Sequence, residues 1–278
     1  MMPRPDIAAW RARAPRAFAP PLARRLLAWS TGTAVLFGTL AALLWLDMTP
    51  QRILNGLSEL LRVALLMLPP SPGERPMELV WAMLETLAMA FAGTFIAALL
   101  AVPLGFLAAR NVLPLGPLRF GLRRFLDVLR GVDQLIWALI FVRAVGLGPL
   151  AGVLSIIVTD TGTLAKLYSE SLENADRREI EGVRATGAGG VQTARFGLLP
   201  QALPLMLSHA LYIFESNVRS STILGIVGAG GIGFQLSDRI RALRWEEAAF
   251  IILMILVMVA VIDSISGALR RRLLASGR

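Results

Sequence analysis

The stretch Leu79-Val-Trp-Ala-Met-Leu-Glu-Thr-Leu-Ala-Met-Ala-Phe-Ala-Gly-Thr-Phe-Ile-Ala-Ala-Leu-Leu-Ala-Val-Pro103-Leu-Gly105-Phe-Leu-Ala108 decides the fold class of this chain. It is apolar almost throughout. As an α-helix it exceeds the roughly 30 Å of hydrocarbon at the centre of a bilayer. We read it as a membrane span, with Pro103 and Gly105 kinking its end. Composition agrees: of 278 residues, 55% are hydrophobic and 17% charged, against about 45–50% and about 25% in soluble domains.

The same composition excludes several chemistries. There is no cysteine, which removes disulfide scaffolds, thiolate nucleophiles and Cys-ligated zinc or iron–sulfur sites. The single histidine, His209, leaves no histidine metal cluster and no Ser–His–Asp triad with a His to spare; it reads as a packing residue rather than a proton relay. A net charge of +9 would suggest nucleic acid in a soluble protein. Here it reads as anchoring to anionic membrane lipid, with no nucleic acid involved.

Working outward, residues 26–46 form a first span behind a basic tail, residues 1–25, that carries Arg4, Arg11, Arg13, Arg16, Arg24 and Arg25. The layout mimics a signal peptide. Its apolar run, however, exceeds the roughly 7–15 residues of a cleavable core and no small-x-small site follows before Asp47, so an uncleaved span is the reading taken. The loop 47–76 is broken by Pro69, Pro70, Pro72 and Pro76. Within it, Ile53–Leu68, interrupted by Glu59 and Arg62, reads as a helix lying at the interface. Further spans are expected at Phe125–Val145 and Pro149–Tyr168, joined by the tight Gly146-Leu147-Gly148 turn, and at Leu199–Asn217 and Ala248–Leu269. The expectation is an all-α integral membrane protein of about six transmembrane helices, with a membrane domain over 77–271 and a tail over 272–278.

Arginines crowd both tails, the second–third connection (Arg110, Arg119, Arg123, Arg124) and the fourth–fifth connection (Arg177, Arg178, Arg184, Arg195). The positive-inside rule therefore puts both termini in the cytoplasm. Arg239, Arg241 and Arg244 dissent, although Asp238, Glu246 and Glu247 sit beside them.

The fourth–fifth connection, about 170–198, is unusually polar. Its pattern predicts a helix, a break at Gly187-Ala-Gly189-Gly190, and a second helix ending near Pro200. Spacing alone leaves two readings, a docking elbow for a soluble partner or a plain solvated loop. The order Glu181-Gly182-Val183, three residues (Arg184, Ala185, Thr186), Gly187, nine residues, Gly197-x-Leu199-Pro200 resembles the EAA loop of type I ABC-importer permeases. That family's pattern is Glu-Ala-Ala, three, Gly, nine, Ile-x-Leu-Pro, and this chain departs from it at Gly182, Val183 and Gly197. The resemblance implies a coupling helix seated on an ATPase subunit. No Gly-x-x-x-x-Gly-Lys-Ser/Thr loop occurs, and the only lysine, Lys166, follows no such glycines. ATP and Mg would then belong to a separate ATPase chain, with no cofactor on this one.

Further runs resemble the phosphonate-type permease: Gly146 to Val153, Lys166 to Glu173, Leu211 to Ser220 and Ile223 to Gly233, the likeness covering roughly Met77–Arg271. It implies the MetI-like type I importer fold and carriage of phosphonate, phosphite or hypophosphite across the bacterial inner membrane. The implied partners are an ABC ATPase dimer, a periplasmic substrate-binding protein and a second permease copy. Gly228-x-Gly230-x-x-Gly233 formally fits a dinucleotide fingerprint but lacks a βαβ unit. Gly228, Gly230 and Gly231 read instead as irregular backbone at the external end of the pathway.

Ionisable groups within spans are candidates for function because burying them is costly. Glu215 and Arg219 stand at i, i+4, as a structural salt bridge or with Arg219 and Asn217 facing the path of an oxyanion. Asp160 and Lys166 could also line it, Lys166 alternatively snorkelling to the interface. Arg130 and Asp133 are expected to pair locally. Two other classes fare worse. An ion-coupled secondary transporter would tend to show an inverted repeat, and the glycine-rich segment has no second copy. An intramembrane enzyme would need a nucleophile with its base, or a metal cluster.

Overall fold

The computed structural model describes residues 22–112 and 116–276, all helical or in short connections with no strand among them. Most of the basic tail expected over 1–25 lies outside these residues, as does Arg278. The chain divides into two compact units, residues 1–65 and 66–278. The first holds α1 (Leu22–Trp45) and nearly all of α2 (Pro50–Leu66). None of the apolar span of α1 is buried against protein, as suits a helix whose solvent is lipid. Helix α2 is amphipathic and has no buried residue, the pattern of a helix lying in an interface.

The second unit contains α3 (Pro76–Ala108), α4 (Gly116–Gly131), α5 (Gln134–Val145), α6 (Pro149–Glu173), α7 (Arg177–Ala185), α8 (Gly190–Thr193), α9 (Leu199–Leu224), α10 (Gly231–Arg241) and α11 (Trp245–Ser276). Single π-helical turns, Ala194–Leu198 and Gly225–Ala229, bracket α9. By length and composition, five described segments can cross a membrane: Leu26–Trp45, Pro76–Ala108, Pro149–Glu173, Gly190–Ala229 and Trp245–Leu273.

The span expected at Phe125–Val145 is not one helix. The chain leaves helical geometry at Asp133, whose Oδ1 accepts the Leu135 N–H at 2.8 Å and caps α5. The twelve residues of α5 reach only about 18 Å at 1.5 Å per residue. The local Arg130–Asp133 pair consequently does not form. Arg130 Nε instead donates to Asp127 at 3.1 Å, three residues back on the same helix, while Asp133 lies beyond the end of α4.

The core of this unit is the α3–α6 pair. Buried Gly93, Ala97, Ala101 and Gly105 recur every fourth residue on α3, which makes one stripe of small side chains along the helix. A Cβ added to Gly93 would sit 2.6 Å from Ile156 Cγ2, and one on Gly105 2.8 Å from Tyr168 Cβ. The two backbones therefore approach closely. Such packing holds helices together in lipid, where apolar burial gives no preference for protein over acyl chain. Helix α3 runs on through Pro103 to Ala108. Helix α9 lies against both members of the pair, and α11 packs on α9.

Candidate functional site

Two features of the second unit carry chemistry beyond packing. The first is the polar elbow. Asp176 caps α7 by accepting the Arg178 N–H at 2.9 Å, while its own N–H donates to Gln201 Oε1 at 2.8 Å. Gln201 Nε2 in turn donates to the Gly197 carbonyl at 2.8 Å, tying the start of α7 to the first turns of α9. Ile180, 8% exposed, joins the apolar cluster that runs through Leu198, Ala202, Leu172 and Tyr168. One face of α7 is thus fastened to the bundle. Glu181, Gly182, Arg184, Ala185, Thr186 and Gly187 remain exposed, with Val183 half-buried.

The break after α7 falls at Gly187, with φ of +85° and its N–H on the Arg184 carbonyl at 2.9 Å. A left-handed residue closing a helix is the usual glycine C-cap. Beyond it the second helix does not end near Pro200, as the spacing had predicted. It passes through the π-turn Ala194–Leu198 into α9, with Pro200 in the first turn. Proline removes an N–H and crowds the carbonyl four residues back, and a π-turn is one way for a helix to absorb that. Leu199 and Pro200 thereby continue straight into the membrane helix. Two departures from the EAA pattern meet here. A Cβ on Gly197 would lie 3.4 Å from Ile180 Cα and 3.6 Å from Val183 Cγ2, so the larger Val183 faces the smaller Gly197.

The second feature is a buried polar seam. Asn217 Nδ2 donates to Thr94 Oγ1 at 2.8 Å and to Asp160 Oδ2 at 2.5 Å. The three side chains belong to α9, α3 and α6 and are 4%, 4% and 7% exposed. Ser221, one turn along α9, and Thr161, next to Asp160, have buried hydroxyls without partners among the described residues. Asp160 and Asn217 were separate candidates in the sequence, and the fold joins them. Thr94 was missed, because a lone threonine in an apolar run carries no signal.

Other candidates are placed differently from expectation. Glu215 and Arg219 do not pair with each other. Glu215 Oε2 accepts from Arg270 Nη2 at 2.6 Å, and Arg219 Nη1 meets both Asp263 oxygens at 3.4 Å. Both partners lie on α11. A same-helix i, i+4 pair contributes only about 0.3–0.5 kcal/mol, which cross-helix partners readily displace. Arg270 also stands 5.8 Å from the Tyr212 ring. Lys166 takes no part in the hydrogen bonds of the seam and lines a recess with Arg123, Arg124 and Asp127.

The glycine-rich segment is a chain reversal between α9 and α10. Gly228, Gly230 and Gly231 have φ of +104°, +80° and +68°. The Gly228 carbonyl accepts the Gly148 N–H at 3.0 Å, and the Ile232 N–H donates to Thr86 Oγ1 at 2.8 Å. The reversal is therefore tied to the α5–α6 turn and to α3.

Removing the donor of the seam, Asn217→Ala, leaves the buried Asp160 carboxyl unpartnered, while the Thr94 hydroxyl keeps its bond to the Ala90 carbonyl at 2.7 Å. We expect a loss of about 1–3 kcal/mol, read as a lower thermal midpoint in detergent. Arg219→Ala breaks an exposed pair and is expected to cost at most about 1 kcal/mol. Equal shifts in the two variants would contradict the seam as a structural tie.

Comparison with known proteins gives a consistent set of similarities. Residues 101–275 match the family model described as binding-protein-dependent transport system inner membrane component. The phosphite transport system permease protein PtxC of Stutzerimonas stutzeri is 41% identical over 244 residues, covering 86% of this chain and 87% of that protein. The phosphate-import permease protein PhnE of Mycolicibacterium smegmatis is 37% identical over 253 residues, covering 91% of this chain but 48% of that protein, so this chain spans about half of that relative. Among solved structures, a chain of the inward-facing MetNI methionine ABC transporter is 24% identical, with a TM-score of 0.64 over 72% of this chain and 99% of that one. At that identity the likeness is one of fold.

Proposed function

Because this chain belongs to the family of binding-protein-dependent transport system inner membrane components, we propose that it is the permease subunit of an ATP-driven importer that carries a phosphorus oxyanion across the inner membrane. The observation that carries the substrate class is 41% identity to a phosphite permease along 87% of that protein's length. Phosphonate, phosphite and hypophosphite share a tetrahedral phosphorus with anionic oxygens, so one pathway can serve any of them.

In this reading the exposed face of α7, from Glu181 to Gly187, docks on an ABC ATPase subunit that holds ATP and Mg. Closure of the ATPase dimer pushes on α7. Ile180 and the Gln201 ties then pass the displacement to α9 through Leu199 and Pro200. Two permease copies enclose the pathway, with both termini in the cytoplasm. A periplasmic substrate-binding protein delivers the anion near Gly228, Gly230 and Gly231. Asn217, Asp160 and Arg219 contribute polar groups along the way, while Glu215 braces α9 against α11.

Proteoliposomes containing this chain with its ATPase and binding protein test the reading. Uptake of radiolabelled phosphite or phosphonate should require internal or external ATP on the ATPase side and should not respond to sulfate competition. Uptake by this chain alone, driven by an ion gradient, would overturn it.

A further inference from the structure

At the elbow end of the bundle, α3, α4 and α6 line a recess with a cavity volume of about 70 Å³ that the transport reading does not use. Its charged lining comes from Arg123, Arg124, Asp127 and Lys166. The charges around it do not balance. Arg123 is neutralised by Glu173 at 2.5 Å and donates from Nε to the Ala108 carbonyl at 3.0 Å. Glu173 also accepts the Arg110 backbone N–H at 2.7 Å. Asp127 is shared by Arg124 at 3.2 Å and Arg130 at 3.1 Å. Lys166, half-buried, has no carboxylate within salt-bridge reach among the described residues. Three cations and one carboxylate therefore line the recess, and with Arg130 and Glu173 of the adjoining ion pairs counted in, the excess is still two positive charges.

A half-buried ammonium beside two guanidiniums, short of counter-charge, is unfavourable in a medium less polar than water. A ligand with several anionic oxygens would remove that cost through charge-assisted hydrogen bonds. The recess is also well fixed. Gly162 lets α6 approach the α4 backbone closely, a Cβ there falling 2.8 Å from the Leu126 carbonyl. The Ser169 hydroxyl donates to the Lys166 carbonyl at 2.8 Å.

We propose that this recess is a binding site for a phosphate-class oxyanion, with Lys166 and Arg124 as its principal cationic contacts. The same chemistry is presented by free phosphate and by the headgroup of an anionic phospholipid, which would reach a recess at the end of the helices. Because the inference rests on charge and shape, it stands or falls separately from transport.

The test uses the full chain in nanodiscs of phosphatidylcholine, titrated with inorganic phosphate by calorimetry, and in nanodiscs containing phosphatidylglycerol, with retained lipid counted by native mass spectrometry. For a free-anion site, phosphate binding should weaken about tenfold in Lys166→Gln, the loss of one good charged contact. It should persist in Lys166→Arg and in the distant control Arg241→Gln. For a headgroup site, phosphatidylglycerol retention should fall in Lys166→Gln with no phosphate binding in either protein. If neither readout responds to Lys166→Gln while the thermal midpoint is unchanged, the site does not exist. Should Lys166→Gln fail to fold, Arg124→Gln answers the same question by the same two readouts.

Discussion

Gly187→Pro is expected to cut ATP-driven uptake by an order of magnitude or more while the protein still inserts in the membrane and the ATPase still hydrolyses ATP. Gly187 sits at φ of +85° and donates its N–H to the Arg184 carbonyl at 2.9 Å. Proline holds φ near −65° and has no N–H. The substitution therefore removes the bond that closes α7 and forces the turn into another shape. No heavy atom lies within 4 Å of a Cβ at this position, so the damage stays in the elbow and the bundle should keep its thermal midpoint. Gly187→Ala is the graded control. It keeps the N–H and suffers only the left-handed strain of about 1–2 kcal/mol, so partial uptake is expected. Glu181→Arg tests the same surface without touching the backbone, because Glu181 is exposed on α7 and its reversal changes only what a partner meets. Normal uptake in both Gly187→Pro and Glu181→Arg would remove α7 from the coupling path.

The second large effect is on folding. A Cβ on Gly233 would overlap the Thr222 carbonyl and lie 3.1 Å from Gly225 Cα. Both neighbours are backbone, and the reversal is already held by Thr86 on one side and Gly148 on the other. The clash is relieved only by separating α10 from the end of α9. Overpacking usually costs about 1–3 kcal/mol where side chains can shift. Here nothing flexible can give way, and Gly233→Ala is expected at or above the top of that range, with a sharp fall in folded yield. Gly182→Ala is the contrasting measurement. That glycine is in the interior of α7 with nothing within 4 Å of its Cβ position. Alanine there should be neutral or stabilising by up to about 1 kcal/mol. If Gly233→Ala unfolds no earlier than Gly182→Ala, the close α9–α10 contact is wrong.

Much of this molecule was legible one segment at a time. A membrane helix is recognised by a run of apolar residues long enough for the bilayer, and that requirement is met locally by Leu79–Ala108 whatever packs beside it. The elbow was legible for a similar reason, because Asp176, Gly187 and the polar face of α7 are signals read within one or two turns. The break at Asp133 was missed, because hydropathy summed across Phe125–Val145 hid the acidic cap ahead of Leu135. An average over a window cannot register a single residue that leaves the helix.

Partner choice follows a different physics. Spacing puts Glu215 and Arg219 on one face of α9, yet each finds its counter-charge on α11, 55 and 44 residues away. Asn217 reaches Thr94 and Asp160 across 123 and 57 residues. Sequence alone determined which groups are costly to bury and which long apolar runs can cross a membrane, though not the break at Asp133 or the run of helix through Pro200, because the former depend on each residue's own transfer energy. Only the tertiary structure decided which costly groups meet and which surfaces stay open, because close approach of α3, α6, α9 and α11 is a collective outcome of small-residue packing. That packing is why a threonine with no signal of its own completes the buried seam, while Lys166 faces a recess instead.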